Sequence, residues 1–223
     1  MIFAIRPEPG LQSTLQAARE LGLAIIGRPL FEVVPLRWEA PDPADFDGLL
    51  IGSANAIRHG GMQLESLASL PVHAVGKTTA EVAEEAGFPV ATTGKGGLQQ
   101  LIDGLRGEHR LLRLAGSEHV ALDVPANLSV TTRIVYDVRA IPLTGSDEIS
   151  LRAAEPLVLL HSAAAARHFA SEVDRRGLDR SRIALACIGP RVAEPVGDGW
   201  RAVRSAPQPD DAALLALARD MWH

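Results

Sequence analysis

Leu49-Leu50-Ile51-Gly52-Ser53-Ala54-Asn55-Ala56-Ile57-Arg58-His59 and Leu157-Val158-Leu159-Leu160-His161-Ser162-Ala163-Ala164-Ala165-Ala166-Arg167-His168 carry one pattern twice: an apolar run, a serine, small residues and an Arg-His pair. A second pattern repeats downstream of each copy. Val75-Gly76-Lys77-Thr78-Thr79-Ala80-Glu81 lines up with Ile188-Gly189-Pro190-Arg191-Val192-Ala193-Glu194. At all four places a short apolar run gives way to helical spacing, which marks a buried strand feeding a helix. The duplication predicts two similar lobes and puts the chemistry between them.

Outward from these motifs, apolar runs at 48–51, 72–75, 90–92 and 110–114 alternate with amphipathic stretches. That alternation predicts an α/β fold with mostly parallel sheets flanked by helices. Ala80, Val82, Ala83 and Ala86 keep helical spacing over 79–86 and stop at Gly87, and Leu98, Leu101, Ile102 and Leu105 form a second stripe that stops at Gly107. In the C-terminal part, strands are expected at 157–160, 183–188 and 202–203. Its helices are expected from 163 to about 176, briefly after Gly189, and from 210 onward.

Nothing after the last helix matches the 110–135 segment of the middle copy, and the N-terminus supplies the missing piece. A strand at 2–5, a helix at 11–21 ending at Gly22 and a long strand at 23–34 repeat the order of a strand at 111–114, a short helical stretch and a strand at 130–138. Pro35 and Pro142 close the two extended runs. The expected organisation is a discontinuous domain of residues 1–30 and 143–223 with an inserted domain of residues 38–132. Residues 31–37 and 133–142 would be linker strands, paired as a two-stranded antiparallel hinge.

A chain of 223 residues that is 47% hydrophobic can fill one large core or two small ones, so it is globular. Its formal net charge of -5 argues against nucleic-acid binding, which needs a basic footprint. The opening Met1-Ile2-Phe3-Ala4-Ile5-Arg6-Pro7 lacks the basic head of a signal peptide, and no apolar run approaches the roughly 20 residues that span a bilayer. A soluble, cytoplasmic, monomeric protein without membrane contact is the expectation. Cys187 is the single cysteine, which excludes an internal disulfide, and its apolar strand makes it a core residue. There is no zinc-ligand cluster, nucleophile elbow or complete phosphate loop.

Ser53, Ala54, Asn55, Gly76, Lys77, Thr78, Thr79, Ser162, Ala163, Gly189 and Arg191 all cluster where strands hand over to helices, at the carboxyl edge of a parallel sheet. A helix's first turn offers unpaired N–H groups and a positive dipole end that hold a carboxylate or phosphate, and Arg6, Lys77 and Arg191 add charge. The competing reading is that Ser, Thr and Asn there are ordinary N-caps. Thr93-Gly94-Lys95-Gly96-Gly97 reads as a flexible turn, and the Arg-His pairs as side chains of helix interiors. Tyr136 is the only tyrosine and lies on the second crossing between lobes. It is either a packing residue or a phenol that gives a proton to a departing hydroxyl.

Taken in order, Arg6-Pro7, Gly52-Ser53-Ala54-Asn55-Ala56, Ala74-Val75-Gly76-Lys77-Thr78-Thr79-Ala80, Leu112-Arg113-Leu114-Ala115-Gly116, Val135-Tyr136, Leu160-His161-Ser162 and Cys187-Ile188-Gly189-Pro190 resemble the uroporphyrinogen-III synthase family over nearly the whole chain. The resemblance implies cyclisation of the linear tetrapyrrole hydroxymethylbilane to uroporphyrinogen III, with loss of water and inversion of ring D, and without a cofactor. It implies a polycarboxylate substrate, Arg113 among the groups that bind it, Tyr136 assisting hydroxyl departure, and transient contact with the preceding pathway enzyme. Gly52 stands where the family often has threonine, and Val192 where threonine is usual. Glu118 and His119 follow Gly116 where a basic residue is often seen, and no role is assigned to them. The alternative is a two-lobed binding or regulatory module that keeps the fold without the chemistry.

Overall fold

The computed structural model describes residues 1–153 and 155–222, and these fall into two compact units, residues 1–32 with 139–223 and residues 33–138. The first unit is built on a five-stranded parallel sheet. Its strands are β1 (Ile2–Ala4), β2 (Ile25–Gly27), β9 (Leu157–Leu160), β10 (Ala184–Cys187) and β11 (Ala202–Ser205), ordered β11-β10-β9-β1-β2. Leu157, Val158, Leu159 and Leu160 are all fully buried, so β9 is covered on both faces, as the centre of a parallel sheet must be.

The helices α1 (Gly10–Glu20), α5 (Gly145–Ala153), α6 (Ala163–Arg175), α7 (Pro190–Ala193) and α8 (Asp211–Trp222) supply that cover. One face of the sheet packs Val158, Leu160 and Leu185 against Phe169 and Val173 of α6; the other packs Leu157, Leu159 and Ala186 against Leu214 and Leu215 of α8. Phe169 stacks on Trp200 with ring centroids 5.9 Å apart. Cys187 sits within this core, and burial pushes its thiol up to about 12.

The second unit carries a six-stranded sheet, with strands β3 (Phe31–Pro35), β4 (Gly48–Ile51), β5 (Val72–Val75), β6 (Val90–Gly94), β7 (His109–Gly116) and β8 (Leu128–Ala140) in the order β3-β8-β7-β4-β5-β6. The pairs from β8 to β6 are parallel. Beside β8, the chain runs the other way: Leu36 N–H donates to the Val135 carbonyl and Ile141 N–H to the Leu30 carbonyl, so one number falls as the other rises. Helices α2 (Asn55–Arg58), α3 (Lys77–Glu85) and α4 (Leu98–Gly104) complete the unit. Among the described residues no helix is long and apolar enough to cross a membrane.

Four details depart from the sequence pattern. The long strand expected at 23–34 is two strands, because Pro29 has no N–H to give to a ladder. Arg28 and Leu30, on either side of it, still donate to the Ala4 and Ile5 carbonyls, after which the chain joins the other sheet as β3. The helix that carries the first Arg-His pair, α2, ends at Arg58 and leaves His59 outside it, since Gly60 and Gly61 follow and Gly61 adopts φ +72°, whereas the 13-residue α6 runs on past Arg167 and His168. No helix forms at 117–127 between β7 and β8, a stretch that contains Pro125. Finally, α5 was not expected. Thr144 and Asp147 make its start: the Asp147 carboxylate accepts from Thr144 N–H at 2.9 Å, and Thr144 Oγ1 accepts from Asp147 N–H at 3.2 Å, a reciprocal cap.

The Phe169 ring ties α6 to the sheet, so Phe169→Ala should lower unfolding free energy by about 3–5 kcal/mol. Urea titration followed by tryptophan fluorescence, to which Trp200 contributes, measures it; a loss below about 1 kcal/mol would contradict the packing described.

Candidate functional site

In the second unit, Leu49, Leu50 and Ile51 leave β4 no exposed side chain, so its chemistry begins with Gly52 and Ser53 beyond its end. Ser53 Oγ accepts from Asn55 N–H at 3.3 Å. A Cβ on Gly52 would stand 2.8 Å from Leu98 Cδ1. A side chain at this position would require the end of the Leu98 side chain to shift.

Arg113 lies within β7 between Leu112 and Leu114 and is only 5% exposed. Its Nη1 donates to the Val120 carbonyl at 2.9 Å, while its buried Nε has no hydrogen-bond partner among the described residues. No described carboxylate pairs with it, and burial draws its pKa down, with nearby Tyr136 acting against that shift. A buried cation in this state is costly unless an anion joins it.

Tyr136 on β8 faces Gly116 on β7, where the register shifts between Ala115 and Gly116. A Cβ on Gly116 would meet Tyr136 Cζ at 2.7 Å, so only glycine lets the ring lie there. The ring, Arg113, Gly52, Ser53, Glu118 and His119 line a cavity of about 150 Å³. A neighbouring cavity of about 340 Å³ shares Gly52, Leu98 and Arg113 and extends to Val75, Gly96 and Gly97. His119 is fixed by its Nδ1, 3.0 Å from the Gly116 carbonyl. The largest cavity described, about 650 Å³, lies in the other unit beside β1, β2 and α8; its walls are mainly apolar and none of the expected site residues reaches it.

The structure thus brings Ser53, Arg113 and Tyr136 together. Ala54 is buried and Asn55 opens α2. Gly76 precedes α3 with φ +80°, a left-handed conformation that favours glycine. Beyond it, Lys77 pairs with Glu81 at 3.1 Å, Thr78 is exposed and Thr79 is buried; none of Lys77, Thr78 and Thr79 lines these two cavities.

In the first unit Ser162 caps α6, its Oγ accepting from Ala165 N–H at 3.1 Å, and Ala163 is the first helical residue. Gly189 precedes α7, on which Arg191 is exposed and Val192 is buried in the core. Arg6 follows β1, and its Nη1 donates to Asp211 Oδ1 and Oδ2, both at 3.0 Å, and to Thr14 Oγ1 at 3.1 Å. Thr14 Oγ1 also donates to Asp211 Oδ2 at 2.8 Å, and His161 Nε2 lies 3.3 Å from Asp211 Oδ1. His161, Thr14 and Arg6 together hold the Asp211 carboxyl down at about 2. Any ligand carboxylate at Arg6 competes with Asp211.

Leu98, Glu118, His119, His161 and Asp211 are the neighbours that sequence reasoning assigned no role. The doubled motif did carry one signal: His161 occupies the position that is Gly52 in the other copy.

Three comparisons bear on this arrangement. The family model described as uroporphyrinogen-III synthase HemD matches residues 12–216. The crystal structure of uroporphyrinogen-III synthetase from Helicobacter pylori aligns with TM-score 0.67 at 18% identity, covering 99% of this chain and 98% of that one. A mutant uroporphyrinogen III synthase from Thermus thermophilus aligns with TM-score 0.53 at 16% identity, over 100% of this chain and 99% of that one. At these identities the structural likeness concerns the fold. No curated protein matches in sequence.

The depressed Asp211 pKa adds stability that is complete above its ordinary value of 3.8 and is lost as pH falls through about 2. Asp211→Asn should therefore flatten the fall in urea midpoint between pH 4 and pH 2 relative to the native chain. Some fall should persist, because Asp47, Glu148, Glu172 and Asp179 are also held below their ordinary values. Identical acid limbs in the two proteins would contradict the Asp211 cluster as described.

Proposed function

The chain belongs to the uroporphyrinogen-III synthase HemD family, and from that membership we propose that it is a cofactor-independent hydro-lyase that cyclises hydroxymethylbilane to uroporphyrinogen III. The observation that carries this reading to the residues is the cavity shared by Arg113 and Tyr136. The substrate presents carboxylates on acetate and propionate arms. A chain with net charge -5 must meet such a ligand with local groups. Arg113 is suited to one arm, because its buried guanidinium lacks an anion and gains one on binding. Ser53, Asn55 and the backbone at Gly76, Lys77, Thr78 and Thr79 are the further binding groups of that unit; Arg6, Ser162, Ala163, Gly189 and Arg191 are those of the other.

In this reading Tyr136 donates its phenolic proton as the C–O bond of the hydroxymethyl group breaks, and the hydroxyl leaves as water. The electrophilic azafulvene that remains closes at the substituted carbon to a spiro intermediate, which rearranges with ring D inverted. Holding the two ends of the chain together supplies effective concentration and disfavours the uninverted closure that occurs spontaneously.

The test is to supply freshly made hydroxymethylbilane and separate the oxidised products by isomer. Accelerated type III formation is expected; type I alone, at the rate of the blank, would overturn the reading in favour of a non-catalytic binding module. In Tyr136→Phe, kcat should fall about 100-fold with KM within about threefold, and an unchanged kcat would make the tyrosine a packing residue. Arg113→Met should raise KM about tenfold or more while leaving thermal stability equal or higher, because it removes a buried unpaired charge. A large loss of thermal stability with unchanged KM would assign Arg113 to the fold instead.

A further inference from the structure

Gly116 fixes two side chains at once. Its missing Cβ leaves room for the Tyr136 ring, whose hydroxyl oxygen would stand 3.0 Å from a Cβ there, and its carbonyl oxygen lies 3.0 Å from His119 Nδ1. Between the two residues, Ser117 N–H donates to the Tyr136 carbonyl at 3.0 Å, so the segment that carries His119 out of β7 is tied to the backbone of the tyrosine itself. The register shift between Ala115 and Gly116 lies at this point, and such irregularities re-aim side chains beside active sites. Both rings line the cavity of about 150 Å³ that Arg113, Ser53 and Glu118 also line.

A carbonyl oxygen only accepts, so the Gly116 contact keeps a proton on His119 Nδ1 whether the ring is neutral or charged. Nε2 is then the one nitrogen that gains and loses a proton. His119 is exposed, and Nε2 has no hydrogen-bond partner among the described residues. A ring anchored through one nitrogen, with the other free at a cavity wall, has the form of a group that transfers protons.

The proposed reaction has a use for such a group. In a hydroxymethylpyrrole the leaving oxygen and the ring nitrogen are separated by only two carbons, so a donor to one and an acceptor for the other must line the same small space. Acid assistance alone would leave a cation on the pyrrole, in a cavity that already holds the Arg113 guanidinium. Loss of the N–H proton leaves the ring neutral.

We propose that His119 Nε2 is a second catalytic group, the base that takes the pyrrole N–H proton as Tyr136 protonates the departing hydroxyl. The inference rests on the tetrapyrrole reading above and deepens it. The N–H bond breaks and its electron pair stays with the ring; a ring pair becomes the exocyclic C=C of the azafulvene; the C–O pair leaves with the hydroxyl, which takes the phenolic proton and departs as water. On ring closure the same nitrogen recovers its proton from Nε2, and the phenolate takes up the one proton that cyclisation releases. Glu118 lines the same cavity, but carboxylates are weaker bases than imidazole.

The experiment follows type III formation from freshly made hydroxymethylbilane, with the spontaneous rate subtracted. In His119→Ala, kcat should fall about 100-fold with KM within about threefold. Added imidazole should recover at least about tenfold of that loss, and 1,2,4-triazole, of the same shape but a far weaker base, less than about twofold. His119→Gln carries hydrogen-bonding groups without the basicity and should stay about as slow as the alanine variant; it also serves as the comparison if the alanine variant does not fold. A kcat within twofold of native in His119→Ala, a native rate in His119→Gln, no recovery with imidazole, or equal recovery with the two azoles would each overturn the proposal. A larger loss in Glu118→Gln than in His119→Ala would also overturn it, since the carboxylate would then be the base. Any of these results in a native chain that forms type III sinks this inference alone, whereas a native chain that forms only type I sinks the proposed activity and this inference with it.

Discussion

Leu157, Val158, Leu159 and Leu160 have no accessible surface, and Leu49, Leu50 and Ile51 have none either. A parallel strand covered on both faces can offer side chains to a ligand only where it stops, because its backbone groups are already committed to neighbouring strands. Both units of this protein are built around that constraint. Gly52 and Ser53 follow β4, His161 and Ser162 follow β9, and Arg6 comes two residues after β1. Arg113 is the exception, a cation within a buried strand, and it stands against the two cavities that open beside that strand.

The two units answer their charged groups in opposite ways. In the first, Arg6, Thr14 and Asp211 close on one another through hydrogen bonds of 2.8 to 3.1 Å, with His161 Nε2 3.3 Å from the same carboxylate. In the second, Arg113 has a single carbonyl as acceptor and no described carboxylate. A charge answered by its own chain holds structure together; one left unanswered in a cavity favours a ligand that supplies the opposite sign. The unit with the open charge also holds Tyr136, which only Gly116 allows to lie where it does.

Much of the fold was legible because it follows local periodicity. The runs at 48–51, 72–75 and 157–160 became β4, β5 and β9 without change, and Gly22, Gly87 and Gly107 end their helices or follow them closely. Pro29 was the visible reason to break the strand at 23–34, and Thr144 with Asp147 three residues on was the visible start of α5. Gly60-Gly61 likewise marked the early end of α2. The absence of a helix at 117–127 was less visible, since that stretch shapes the cavity wall around Arg113 and its Val120 contact crosses several residues.

The site was legible in its edges and less so in its partners. Ser53, Arg113 and Tyr136 could be named from motifs, yet nothing local joined them to Leu98, Glu118 and His119. By itself the sequence determined the alternation of buried strands and amphipathic helices, and hence the strand ends at which polar groups would collect, because each is set by neighbours a few residues away. Which polar groups meet there was decided only by tertiary structure. Asp211 reaches Arg6 across 205 positions of chain because α8 packs on the same sheet that β1 enters, and sheet order arises from backbone pairing between distant strands. The same pairing sets Tyr136 beside Gly116, and no spacing along the chain encodes it.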